Sequence, residues 1–108
     1  MKLTTLIDYL KNPNKLDQLF SDEKLNTDSE ALEIYMEDSL GLESEIKIFE
    51  IEETEDNLVF EKNGVKYIQL FPVEHAIEVL NSYLNLAGKE HSNFEIASRL
   101  LEYRIKDA

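Results

Sequence analysis

LVFEKNGVKYIQLFPVEHAIEVLNSYLNL, residues 58–86, is the stretch from which the rest of the chain can be read. Asn63-Gly64 supplies the positive φ angles that a two-residue type I′ turn requires, and apolar residues flank it on both sides. With those two residues as the loop, Lys62 pairs with Val65, Glu61 with Lys66, Phe60 with Tyr67 and Val59 with Ile68. That register puts Leu58, Phe60, Val65 and Tyr67 on one face, and Val59/Ile68 beside an opposite-charge pair on the other. A slip of one residue would break both arrangements. Pro72 ends the strand, and Val73, Ala76, Ile77, Leu80, Leu84 and Ala87 recur at helical spacing until Gly88 stops the helix.

Working outward from this stretch, EIKIFEIE at 45–52 reads as a strand by its isoleucines, with Ile46 and Ile48 on one face and Phe49 and Ile51 on the other. That pattern means burial on both faces, or a bulge near Ile48-Phe49. Glu53 to Asp56 is the turn leading to the hairpin, which makes a three-stranded antiparallel meander. Further upstream, Thr27 with Glu30 fits a capping box. Behind it Ala31, Leu32, Ile34 and Tyr35 form a helical stripe stopped by Gly41. Leu3, Leu6, Ile7 and Leu10 give a first short helix, interrupted at Asn12-Pro13, and Leu16, Leu19 and Phe20 give a second. Downstream, Ser92 with Glu95 is another capping box. It opens a last helix carrying Phe94, Ala97, Leu100, Leu101 and Ile105, with Arg99, Arg104 and Lys106 toward its end. The order is helices, strands, helices. The expected fold is α+β: a single domain over residues 1–108, with the three-stranded meander flanked by N-terminal helices and two C-terminal helices.

A hydrophobic fraction of 43% is too high for a disordered acidic chain, so the net charge of −12 belongs to a folded object. There is no cysteine, which excludes a disulfide framework and a thiolate nucleophile and suits a reducing cytoplasm. The N-terminal stretch lacks the pattern of a secretory signal, and no apolar run approaches the ~18 residues of a membrane span. No membrane association is expected. The acids are segregated: residues 21–61 hold 15 of the 23 acidic residues and 2 of the 11 basic ones. Such a field steers basic partners toward the molecule and opposes direct nucleic-acid binding.

No signature of catalysis is present. None of the seven serines lies in a nucleophile motif, and three glycines cannot build a phosphate-cradling loop. His75 and His91 lie on different segments, and an ordinary surface histidine is the simpler account of each. The EETED run at 52–56 lacks the spacing of a calcium loop. Tyr35, Tyr67, Tyr83 and Tyr103 read as core-edge residues with wet hydroxyls. No cofactor is expected.

Asp38-Ser39-Leu40 resembles the tripeptide at which acyl carrier proteins receive phosphopantetheine. That resemblance implies Ser39 as the attachment point and an all-helical fold. Gly41, the strand at 45–52 and the hairpin depart from it, and a tripeptide ending a helix is the competing account. The leading expectation is a non-catalytic acidic binding module that neutralises a basic protein of toxin or nuclease type, as bacterial immunity proteins and antitoxins do. Its contacts would be Glu30, Glu33, Glu37, Asp38, Glu43, Glu50, Glu52, Glu53, Glu55 and Asp56. The alternative is a homo-oligomeric structural or regulatory subunit, a homodimer for instance, pairing through an apolar sheet face or the last helix.

Overall fold

A computed structural model describes residues 1–83 and 91–107. The hairpin forms in the register read from its sequence. β3 (Val59–Lys62) and β4 (Val65–Pro72) pair Val59 with Ile68, Phe60 with Tyr67, Glu61 with Lys66 and Lys62 with Val65. Asn63 and Gly64 take φ of 53° and 79°, the left-handed values that a type I′ turn demands.

The sheet around the hairpin is larger than a three-stranded meander. Its four antiparallel strands lie in the order β2-β1-β4-β3, with β1 at Leu32–Glu37 and β2 at Ile46–Glu50. The expected helix over 31–40 is therefore corrected to a strand. Ile34, Tyr35 and Met36 are all buried, because β1 pairs on both edges and is covered on both faces, and β-branched and aromatic residues suit such a position. The Thr27 capping box does not form. Residues 26–29 make a turn instead, in which the Asn26 side chain accepts the Asp28 N–H at 3.0 Å. Gly41 and the Asp38-Ser39-Leu40 tripeptide lie in the turn after β1, with Asp38 at φ 67°. The tripeptide ends a strand and not a helix, and it does not stand in an all-helical fold. The register shift falls between Ile34 and Tyr35 on β1, opposite Leu70, and not in β2.

One face of the sheet carries Ile34, Met36, Ile46, Ile48 and Leu70 into the main core. There they meet α1 (Leu3–Leu10), α2 (Pro13–Asp22), α4 (Val73–Glu78) and α5 (Asn93–Asp107). Asn12 caps α2 by accepting from Asn14 N at 3.1 Å, and Pro13 stands at the first turn where its missing N–H costs nothing. Ser92 caps α5, accepting from Glu95 N at 3.1 Å. The helix expected over 73–87 runs as α4 and then widens to a π-helical turn at Val79–Tyr83. Leu84, Ala87 and the stop at Gly88 lie outside the described residues.

The opposite face carries Tyr35, Phe49, Phe60 and Tyr67. Phe49 packs edge-on against Phe60 and Tyr67 with ring centroids 5.1 and 5.0 Å away. Because β1 and β4 stand between β2 and β3, the chain leaving β2 must cross beneath this face to reach β3. It does so as the single-turn α3 (Ile51–Thr54) and the segment 55–58.

Candidate functional site

The ten carboxylates singled out in the sequence do not form one surface. Leu32 pairs with Glu50 and Met36 with Ile46, so residues 37–45 lie at one end of β1 and β2 and residues 26–31 with Glu50 at the other, from which residues 51–56 run beneath the sheet. A strand of this length separates the two ends by about 20 Å. At the first end, Glu37, Asp38, Glu43 and Glu45 border an open concavity of about 510 Å³. Glu43 bonds to Lys2 at 2.9 Å and Glu45 to the Met1 ammonium at 2.8 Å, whose hydrogen bond, and then its charge, hold Glu45 below the usual carboxylate range. Glu37 and Asp38 have no ion-pair partner among the described residues.

At the other end several carboxylates fasten the fold to itself. Glu50 accepts from Asn26 N at 2.9 Å. Glu52 accepts from the Ser29 hydroxyl at 2.5 Å and from Glu30 N at 3.2 Å, and both bonds lower its pKa. Glu53 pairs with Lys62, whose ammonium also lies 5.7 Å from the centre of the Phe49 ring. Glu30 and Glu55 are exposed and form no ion pair among the described residues. Glu30 also borders a cleft of about 270 Å³, where Asp17 and Glu74 join it above an apolar floor of Phe20, Leu32 and Val73. Sequence reading missed this grouping, since its three acids come from three separate segments.

Glu33 is a correction. It is 0% exposed and cannot touch a partner, because its side chain turns inward beneath the β2–β3 connection. Thr54 Oγ1 donates to Glu33 Oε1 at 2.5 Å, and Gln69 Nε2 donates to Glu33 Oε2 at 2.9 Å. Gln69 Nε2 also donates to Asp56 Oδ1 at 2.9 Å, so one amide bridges two carboxyl groups. Tyr35 is equally buried, and its hydroxyl donates to the carbonyl of Asn57 at 2.6 Å, not to water as its sequence position implied. Burial, and then the hydrogen bond to Asp56, push the Glu33 carboxyl up to about 7, while that same bond and the Gln69 amide hold Asp56 low. Of the two carboxyls, Glu33 is the one that holds its proton more tightly and Asp56 the more acidic. A trace of this network exists in the sequence: Gln69 interrupts the apolar run Tyr-Ile-Gln-Leu-Phe, and a polar residue inside a buried strand needs a partner.

A third cleft, of about 450 Å³, opens beside β4 where β3 stops, between Leu58, Phe71, His75, Tyr103 and Arg104. Arg104 Nε donates to the carbonyl of Gln69 at 3.1 Å, which satisfies a sheet-edge group left unpaired by the short β3. His75 stacks obliquely on Phe71, with ring centroids 5.3 Å apart, and is half-buried rather than free on the surface. His91 lies just before α5, with its Nδ1 3.1 Å from Glu95 Oε1. Among the described residues no helix is long and apolar enough to cross a membrane.

No protein-family model matches the chain, and neither does any curated protein or solved structure.

Proposed function

We propose that this protein is a non-catalytic binding module which docks a basic protein, an inhibitor of immunity or antitoxin type working in a reducing cytoplasm. The observation that supports this most directly is the set of exposed carboxylates left without a cation. Glu30, Asp38 and Glu55 are exposed, Glu37 is half-exposed, and none has an ion-pair partner among the described residues. In a chain of net charge −12, unneutralised acids concentrated on loops form an attractive field for a basic surface. Glu43, Glu50, Glu52, Glu53 and Asp56 contribute to the same field, although each also has a bond within the fold. The test is to isolate and identify a partner at low salt from the cells that make the protein, then to titrate it at several ionic strengths. Affinity should fall steeply with salt, and a neutral or acidic partner with salt-independent affinity would overturn the proposal.

A second reading, a homo-oligomeric subunit, is favoured by apolar side chains left in water. Phe94 and Ile105 on α5 are each 63% exposed, and Leu58, at the end of the connection just before β3, is 62% exposed. Sedimentation over a range of concentrations separates the two readings, since a stable dimer would give these side chains a partner.

A further inference from the structure

The β2–β3 connection has little apolar surface to hold it against the sheet. Of residues 51–58 only Thr54 is buried and Ile51 half-buried, while Glu52, Glu53, Glu55, Asp56, Asn57 and Leu58 are exposed. Its backbone is also strained: Glu55 and Asp56 are consecutive non-glycine residues in the left-handed region, at φ 55° and 58°. A strained, exposed segment stays in place only if something clamps it. The clamp is polar. Thr54, Asp56 and Asn57, three residues of the connection, each bond to Glu33 or Tyr35 on β1 or to Gln69 on β4.

We propose that Glu33, Asp56, Gln69, Thr54 and Tyr35 form a proton-operated latch. With one proton shared between the two carboxyls, the latch holds the 51–57 connection on the sheet. Loss of that proton releases the connection and disorders the acidic surface it carries. The second half of this inference rests on the proposed binding role, while the first half does not.

The groups facing Glu33 make this a one-way device. From its own strand comes Tyr35, from α3 the neutral Thr54, from the connection the ionised Asp56, and from β4 the neutral Gln69; its ladder neighbours are Phe49 on β2 and Pro72 on β4. Among the described residues, no cation is one of the groups that act on it. When Glu33 ionises, two carboxylates face each other with only hydroxyl and amide donors between them, and the repulsion is not offset. Glu33 cannot yield, because β1 is paired on both edges and carries core residues on its other face. The exposed connection yields. Burial places the transition near neutral pH, since the Glu33 carboxyl is raised to about 7.

Hydrogen exchange of the full-length protein, corrected for intrinsic rate, tests the latch. Between pH 6 and pH 8.5 the protection of the Glu55 and Asn57 amides, which bond to Ile51 O and Thr54 O, should fall about tenfold or more. Protection at Met36 and Leu70 should hold. Glu33→Gln, a neutral isostere, should keep the connection protected at both pH values; Asp56→Asn should do the same, because it removes the second carboxylate, while moving the Glu33 titration to lower pH. A carbon-13 titration of the Glu33 carboxyl reads the proton directly. Protection that does not change with pH, or falls equally in Glu33→Gln, overturns the latch, as does a Glu33 midpoint at the ordinary glutamate value.

A nona-arginine peptide at fixed salt tests the link to binding. Wild-type affinity should fall from pH 6 to pH 8.5, and Glu33→Gln should bind alike at both. A molecule without a latch would hold its affinity or gain some as remaining carboxylates ionise, so that result overturns the link. If the peptide binds at neither pH, the binding role is overturned, while the exchange data alone decide the latch.

Discussion

Glu33 reverses the usual meaning of a glutamate in an acidic chain. Its folded carboxyl sits at about 7, against 4.5 for an unperturbed one, so the unfolded chain releases this proton at lower pH than the folded chain does. The resulting stability is fully present below pH 4.5 and is lost as pH rises to about 7. At ~1.4 kcal/mol per pH unit the whole window amounts to about 3 kcal/mol. Asp56 acts in the opposite sense and in a different window, because its lowered pKa gives stability that is lost only in acid. Urea denaturation should therefore show wild-type stability falling by about 2–3 kcal/mol between pH 5 and pH 8. Glu33→Gln should flatten most of that slope and make the protein more stable than wild type at pH 8. Equal slopes for the two proteins would mean that Glu33 titrates normally. Sequence alone could not show this, because the partners of Glu33 lie at Thr54, Asp56 and Gln69, and only the crossing of the connection brings them together.

At the scale of elements, legibility followed how many sides of a segment are buried. The hairpin was readable to the residue because its turn needs Asn-Gly chemistry and its strands keep a period of two. β1 was not, and the reason is physical. A strand buried on both faces loses its alternation, and the apolar spacing of Ala31, Ile34 and Tyr35 then imitates a helix behind an apparent Thr27–Glu30 cap. Read as a helix, β1 no longer separates β2 from the hairpin, and nothing in the sequence then calls for a crossing segment. Two substitutions test the assignments. Gly64→Ala forces a Cβ onto a residue at φ 79° with open space around it, so the cost is backbone strain alone, about 1 kcal/mol. Phe49→Ala removes the ring that joins Tyr35, Phe60 and Tyr67 and should cost about 3–5 kcal/mol by thermal or urea unfolding. If Phe49→Ala cost no more than Gly64→Ala, the aromatic face would not be a second core.

For the whole molecule, the excess negative charge lies at the two ends of β1 and β2, not along a single wall. Each end holds acids without an ion-pair partner among the described residues, Glu37 and Asp38 at one and Glu30 at the other, with Glu55 on the connection that leaves that end. About 20 Å of strand separates them, more than two Debye lengths at physiological salt, where one length is ~8 Å. The two ends therefore act on an approaching partner as separate patches, and their contributions to association should add in the logarithm of the rate. Glu37→Lys with Asp38→Asn changes one end by three charges; Glu30→Lys with Glu55→Asn does the same at the other. Asparagine is chosen at 38 and 55 because both residues have left-handed φ, which it tolerates. Against an identified basic partner, each pair should slow association and reduce its salt dependence, and the four-residue variant should show the sum of both effects. A partner that spans the sheet edge would respond to both pairs, and one seated at a single end would respond to one pair only. Insensitivity to all four changes would leave the negative field a solubilising surface and transfer the search for a partner to the exposed Phe94 and Ile105 of α5.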